Sequence, residues 1–185
     1  SLRAMPNLLV MRPADVIETA ECWQIAIAHR DGPSLLALSR QNLPQLRHDG
    51  GPGLSARGAY RLKPAEATRR VILIATGSEV AIALDVAKLL EAGGIGADVV
   101  SMPCTQLFDA QDEAYRRDLL PEGGERLLRV SIEAGSTFGW ERYTGLAGLR
   151  FGLDSFGASG PIDQLYQHFG LTAEQIAPRI VAALA

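Results

Sequence analysis

The chain has 185 residues, 47% of them hydrophobic and 21% charged, with a formal net charge of −3; these globular proportions allow one good-sized core with an appendage and exclude wholesale disorder. No dense run of Lys or Arg offers a face to nucleic acid, no apolar run approaches the roughly 20 residues that cross a bilayer, and the start lacks the charged and apolar regions of a signal peptide. The two cysteines, Cys22 and Cys104, are too far apart for a close-spaced metal motif and too few for a secreted disulfide scaffold, so a soluble protein of a reducing, cytoplasmic compartment is expected.

Residues 5–43 read as turn, helix, turn and strand. Pro13 suits a first helical turn, and Val16, Ala20, Trp23 and Ile27 recur at helical spacing as one apolar face. Asp31, Gly32 and Pro33 stop the helix, and residues 34–39 form a short buried strand through Leu35, Leu36 and Leu38. One helix and one strand cannot close a core, so this part looks like the end of a larger domain. Residues 44–67 shift to Gly, Pro, Arg and small side chains, with His48, Asp49, Gly50, Gly51, Pro52 and Gly53 at the centre. They read as an interdomain connection holding at most one short strand near residues 58–63.

From there strands and helices alternate. Residues 71–75 are a continuous apolar run suited to a strand buried on both faces. Thr76 and Glu79 have capping-box spacing at the start of a helix that runs to Ala92, with Val80, Leu84, Ala87 and Leu90 inward and Gly93 and Gly94 as the stop. A second strand is predicted over 97–102, a polar loop over 103–108 and a helix over 110–120 closed by Pro121. A strand over 126–132, a helix over 140–146, a last strand over 150–153 and helices over 161–169 and 172–184 complete the chain. Such alternation forces crossover connections, and the fold class is α/β: a three-layer α/β/α sandwich with a mostly parallel sheet of about five strands.

Few residues offer chemistry. Thr76, Gly77, Ser78 and Glu79 lie where a strand feeds a helix, a place where open sheets bind anions, but no Gly-x-Gly-x-x-Gly or Walker lysine accompanies them and helix capping is the better explanation. Glu133 ends its strand beside Ala134 and Gly135; a lone carboxylate there is more often a structural anchor than an acid or base. Arg40 follows a buried strand, where a guanidinium either grips a phosphate or serves an ion pair. His29, His48 and His168 have no Cys, Asp or Glu at ligand spacing, so neither a metal site nor a Ser-His-Asp arrangement is supported, and Trp140 and Tyr143 read as packing residues or as part of a subunit interface.

Several blocks together resemble the transketolase family. Met5-Pro6-Asn7-Leu8, Arg12-Pro13-Ala14-Asp15, Asp31-Gly32-Pro33 and Leu38-Ser39-Arg40-Gln41-Asn42-Leu43-Pro44 resemble the end of its pyrimidine-binding domain. Ile74-Ala75-Thr76-Gly77-Ser78-Glu79-Val80, Val100-Ser101-Met102-Pro103-Cys104-Thr105, Phe108-Asp109-Ala110-Gln111-Asp112, Ser131-Ile132-Glu133-Ala134-Gly135 and Phe156-Gly157-Ala158-Ser159-Gly160-Pro161 resemble its C-terminal domain. The resemblance implies a remnant of the pyrimidine-binding domain at 1–43, a linker at 44–67 and the C-terminal domain at 68–185.

It further implies a parent enzyme that moves a two-carbon ketol unit from a ketose phosphate to an aldose phosphate, as a homodimer, with thiamine diphosphate and magnesium or calcium. Arg40 takes the place of the family's phosphate-binding arginine; no other residue is implied as catalytic, cofactor-binding or metal-binding. The Gly-Asp-Gly block that holds metal and diphosphate in the family is absent, so the chain alone is expected to be an inactive fragment that binds no cofactor. Dihydroxyacetone synthase is a second candidate parent, and residues 39–43 and 102–112 argue against deoxyxylulose-phosphate synthase. A free-standing module that binds a ligand in the crevice near Thr76 and Glu133 is a third reading.

Overall fold

The computed structural model describes residues 2–48, 53–121 and 127–185. Its centre is a five-stranded sheet formed by β3 (Tyr60–Lys63), β4 (Arg69–Ala75), β5 (Gly96–Ser101), β6 (Leu128–Ile132) and β7 (Leu149–Phe151), in the order β3-β5-β4-β6-β7. The pairs β4–β5, β4–β6 and β6–β7 are parallel, and β3 alone runs antiparallel, along the outer edge of β5. The mostly parallel sandwich expected from the alternation is therefore the fold observed.

β4 explains the layering. Its side chains alternate across the sheet, and every residue from Val71 to Ala75 is buried. Val71, Leu73 and Ala75 pack against α2 (Glu79–Ala92) and α7 (Ala173–Leu184) through Val80, Val86, Leu90, Ile176 and Ile180. Ile72 and Ile74 point to the other face, where Phe108, Leu119, Leu120, Trp140 and Tyr143 cover them. Those five come from α3 (Thr105–Asp109), α4 (Glu113–Leu119), α5 (Glu141–Thr144) and the turns beside them. A strand apolar on both faces is what such a double-sided covering requires. The remaining helix of this part, α6 (Ile162–His168), is short. Among the described residues no helix is long and apolar enough to cross a membrane.

The first part of the chain is a two-stranded parallel sheet, β1 (Leu9–Met11) with β2 (Ser34–Leu36), joined by α1 (Val16–Ala28). β1 has no counterpart in the sequence reading, because three residues are too few for a period to emerge. Pro13 stands two residues ahead of the helix cap, which is Asp15: its carboxylate accepts from the Glu18 amide at 2.8 Å.

The apolar face read on α1 faces outward. Val16, Trp23 and Ile27 are 67, 52 and 66% exposed, and the buried positions are Glu18 and Cys22. The cause is polar: Asp15, Glu18 and Glu21 line the contact side and meet donors there. Glu18 accepts from Tyr60 Oη at 2.6 Å, Ser101 Oγ at 2.5 Å and the Ala14 amide at 2.7 Å, while Glu21 holds Arg47 Nη1 at 2.9 Å and the Ser55 amide at 3.0 Å. A small apolar cluster of Leu9, Met11, Cys22 and Cys104 completes the seam between the two parts.

Other differences are local. The loop expected over 103–108 contains α3, and the single helix expected over 110–120 is α4 alone, beginning after the cap Asp112. β3 is the short strand expected near residues 58–63; residues 49–52 of the same stretch lie outside the described residues, as does Arg126 at the expected start of the third strand. Gly58 is required where β3 begins: its φ is +78°, and a Cβ there would stand 2.1 Å from the Phe108 amide nitrogen.

Candidate functional site

The carboxyl ends of β4 and β6 open side by side, which is where a parallel sheet usually offers a ligand crevice. Here the crevice is filled from within. Arg12 leaves β1 with its amide bonded to the Pro103 carbonyl at 2.8 Å, and its own carbonyl accepts from the Gly77 amide at 3.0 Å and the Thr76 hydroxyl at 3.3 Å. This places the guanidinium between two buried carboxylates. Nη1 donates to Glu133 Oε1 at 2.5 Å and Nη2 to Glu79 Oε2 at 3.1 Å.

Both carboxylates have further donors. Arg3 Nη1 and Trp140 Nε1 each reach Glu133 Oε2 at 2.7 Å, and Arg3 also lies over the Trp140 ring, 5.6 Å from its centroid. Glu79 Oε1 accepts from Ser78 Oγ at 2.6 Å and Tyr166 Oη at 2.7 Å. Burial by itself would raise the Glu133 carboxyl, but the bond and charge of Arg3, the charge of Arg12 and the Trp140 N–H outweigh it and hold the group below the usual carboxylate range. Gly77 makes the approach possible: its φ is +61°, and a Cβ there would press on Arg12 Nη2 at 3.3 Å.

The third sequence reading, an open crevice near Thr76 and Glu133, is thereby corrected: its space and its charges are taken by Arg12 and Arg3. The expected capping box is corrected too. Thr76 donates to the Arg12 carbonyl, α2 is capped at Ser78 without a side-chain bond, and Glu79 is spent on Arg12, Ser78 and Tyr166. Glu133 does act as a structural anchor, though for two guanidinium groups and an indole. Trp140 and Tyr143 pack as read; Trp140 also donates to Glu133, and Tyr143 Oη bonds the Asp109 carboxylate at 3.1 Å.

Arg40 lies elsewhere, in the segment after β2. Its side chain is exposed and has no ion pair among the described residues, so its donors face outward. The next residues, Gln41, Asn42 and Leu43, form one wall of an open groove of about 390 Å³, whose opposite wall includes Ser78, Asp163 and Tyr166. Arg40 itself is not among the residues that line the groove; it immediately precedes them in the chain. Ser39 Oγ donates to the Gln41 carbonyl at 3.2 Å, which turns the segment at Arg40.

The three histidines stay apart, and no group of three or more His, Cys, Asp or Glu able to hold a metal ion occurs among the described residues. Arg12, Arg3 and Tyr166, which organise the crevice, escaped the sequence reading; only the position of Arg12 in the Arg-Pro-Ala-Asp block marked it at all.

Residues 58–172 match the family model of the transketolase-like C-terminal domain, and residues 1–45 match that of the transketolase pyrimidine-binding domain. A transketolase of Sinorhizobium medicae is 51% identical over 177 residues, covering 95% of this chain and 25% of the relative. One of Rhodobacter capsulatus is 50% identical over 190 residues, 98% of this chain and 28% of the relative. A solved Pichia stipitis transketolase in complex with fructose 6-phosphate superposes with a TM-score of 0.88 at 42% identity, over 98% of this chain and 26% of its own. A split gene transketolase, an inactive beta4 tetramer, gives 0.80 at 26% identity over 99% of this chain and 60% of its own. The chain spans about a quarter of the length of the curated relatives it matches.

Proposed function

The chain belongs to the transketolase family, and from that membership we propose that it is the carboxyl-terminal portion of a transferase that moves a two-carbon ketol unit from a ketose phosphate to an aldose phosphate. Its contribution to that reaction is to hold the phosphate end of the sugar. The observation that carries this reading is Arg40: an exposed guanidinium without an ion pair among the described residues, in a Ser-Arg-Gln-Asn segment whose Gln41 and Asn42 line a groove. A guanidinium presents two parallel N–H donors to two phosphate oxygens, which fixes the sugar's distance and orientation while leaving the reacting carbons free.

Thiamine diphosphate, with magnesium or calcium, supplies the carbanion chemistry in such an enzyme, and we assign both to parts of the longer protein rather than to this chain. The domain division at 1–43, 44–67 and 68–185, the homodimer and the cytoplasmic location belong to the same proposal. Two measurements test it. In the full-length enzyme, Arg40→Gln should raise KM for the ketose phosphate about 10- to 100-fold, the equivalent of about 1.5–3 kcal/mol for a charge-assisted contact, with kcat changed far less; an unchanged KM would remove Arg40 from the phosphate site. The 185-residue chain by itself, supplied with thiamine diphosphate, magnesium and both sugar phosphates, should give no turnover. Turnover would show that the chain holds the reacting machinery after all.

A further inference from the structure

We propose that a second phosphate site lies on the opposite face of the sheet from α2 and α7, in the cavity bounded by α3, α4, β6 and α5. It takes a phosphate dianion, either free or as the phosphate group of a small metabolite. The cavity measures about 220 Å³. That is below the roughly 300–1,000 Å³ of sites for drug-sized ligands, so a nucleotide does not fit and a phosphate with a few attached atoms does.

Four arginines line this cavity: Arg116 and Arg117 from α4, Arg129 from β6 and Arg142 from α5. Among the described residues only two carboxylates line it with them, and each is already committed. Asp109 pairs with Arg142 at 3.3 Å and also accepts from Tyr143 Oη, and Glu113 pairs with Arg117 at 2.5 Å. Arg116 and Arg129 have no ion pair among the described residues. The chain as a whole is acidic, with a net charge of −3, so this local excess of positive charge is not a sample of a generally basic surface.

A separate observation concerns Arg116, whose Nε is buried and has no hydrogen-bond partner. A buried donor left unpaired costs about 1–3 kcal/mol, and native structures rarely leave one without a reason. The helix dipole accounts for basic residues in the last turn of α4, but it supplies no acceptor for this N–H. A phosphate dianion supplies both missing elements: acceptor oxygens for the guanidinium groups of Arg116 and Arg129, and charge to offset these two cations that no carboxylate of the described lining balances. The apolar wall of Phe108 and Leu120 keeps water from screening them fully.

The test is calorimetric titration of the 185-residue chain at low ionic strength with inorganic phosphate and, separately, with ribose 5-phosphate. All titrations use an Arg40→Gln background, so that phosphate held at that residue is not counted. Saturable binding is expected, weakened at least tenfold by Arg116→Gln with Arg129→Gln, in a variant shown by circular dichroism to be folded. Tighter binding of the ester identifies a phosphorylated metabolite as the ligand; equal affinities identify the free ion. If the double variant does not fold, Arg117→Gln, altered at a largely exposed side chain, serves instead and should weaken binding severalfold. Absence of saturable binding, or binding that is indifferent to these substitutions, overturns the proposal.

Discussion

Removal of the Arg12 guanidinium would leave the buried Glu79 carboxylate without a cation and the buried Glu133 carboxylate with Arg3 alone. Breaking a buried pair by deleting one partner costs about 3–5 kcal/mol, so Arg12→Leu should lower the unfolding free energy by that order in a urea titration. Arg12→Lys keeps the charge but cannot reach both carboxylates with a planar fork, and should fall between. Acid acts on the same knot. The folded Glu133 carboxyl lies below its ordinary range, so its stabilisation is complete above the unfolded value of about 4.3 and is lost as pH falls through the folded value. Glu18 runs the other way: burial raises its carboxyl despite the bonds from Ser101, Tyr60 and the Ala14 amide, so the folded state takes up a proton before the unfolded state does. Lowering the pH should therefore add stability through Glu18 as its folded carboxyl takes up a proton, and remove it through Glu133 once the pH falls below the unfolded carboxyl value of about 4.3. Thermal unfolding followed from neutral pH through that value should show the gain vanish in Glu18→Gln and the loss shrink in Glu133→Gln. Of these roles, the anchoring by Glu133 was legible from its place at a strand end. Arg12 was not, because its partners lie 121 and 67 positions away along the chain and no local pattern encodes such a distance.

Periodicity located the elements better than it oriented them. β4 was legible because a strand covered on both faces has no polar side, and five consecutive apolar residues say so. α1 was legible as a helix, but its Val16, Trp23 and Ile27 stripe faces outward because hydrogen-bonded carboxylates occupy the contact side. Hydrophobic spacing reports a face that is covered by something, and it does not name the cover. An exposed apolar stripe of this kind drives association, so the 185-residue chain should self-associate at high concentration. Trp23→Ser with Ile27→Ser should return it to monomer in sedimentation velocity with no loss of unfolding midpoint. A lower midpoint would mean that the stripe is packed within the chain. The capping box failed for a related reason: Thr76 and Glu79 have the right spacing, but both side chains are taken by the Arg12 segment that arrives from outside the helix.

The two parts of the molecule are tied by the buried Glu18 bonds, the Arg12 network and the small cluster around Cys104, all of them short and most of them out of water. They should unfold together. The chain's two tryptophans are placed to test this, Trp23 on α1 and Trp140 beside Glu133. Trp140→Phe and Trp23→Phe leave one reporter in each part, and each variant's fluorescence midpoint should coincide with its own circular-dichroism midpoint; separated transitions would show two independent units. Strand order has a further consequence, for the sequence of events on the ribosome. β3 and β4 emerge before either has a sheet neighbour, since both pair with β5. Within the five-stranded sheet the first contact that can close after α2 is β4 with β5; β3 adds along the free side of β5 and β6 along that of β4. Until β5 is released, the apolar β4 is a bare strand on a nascent chain, and that interval of synthesis is when a chaperone that binds extended apolar segments has most to hold.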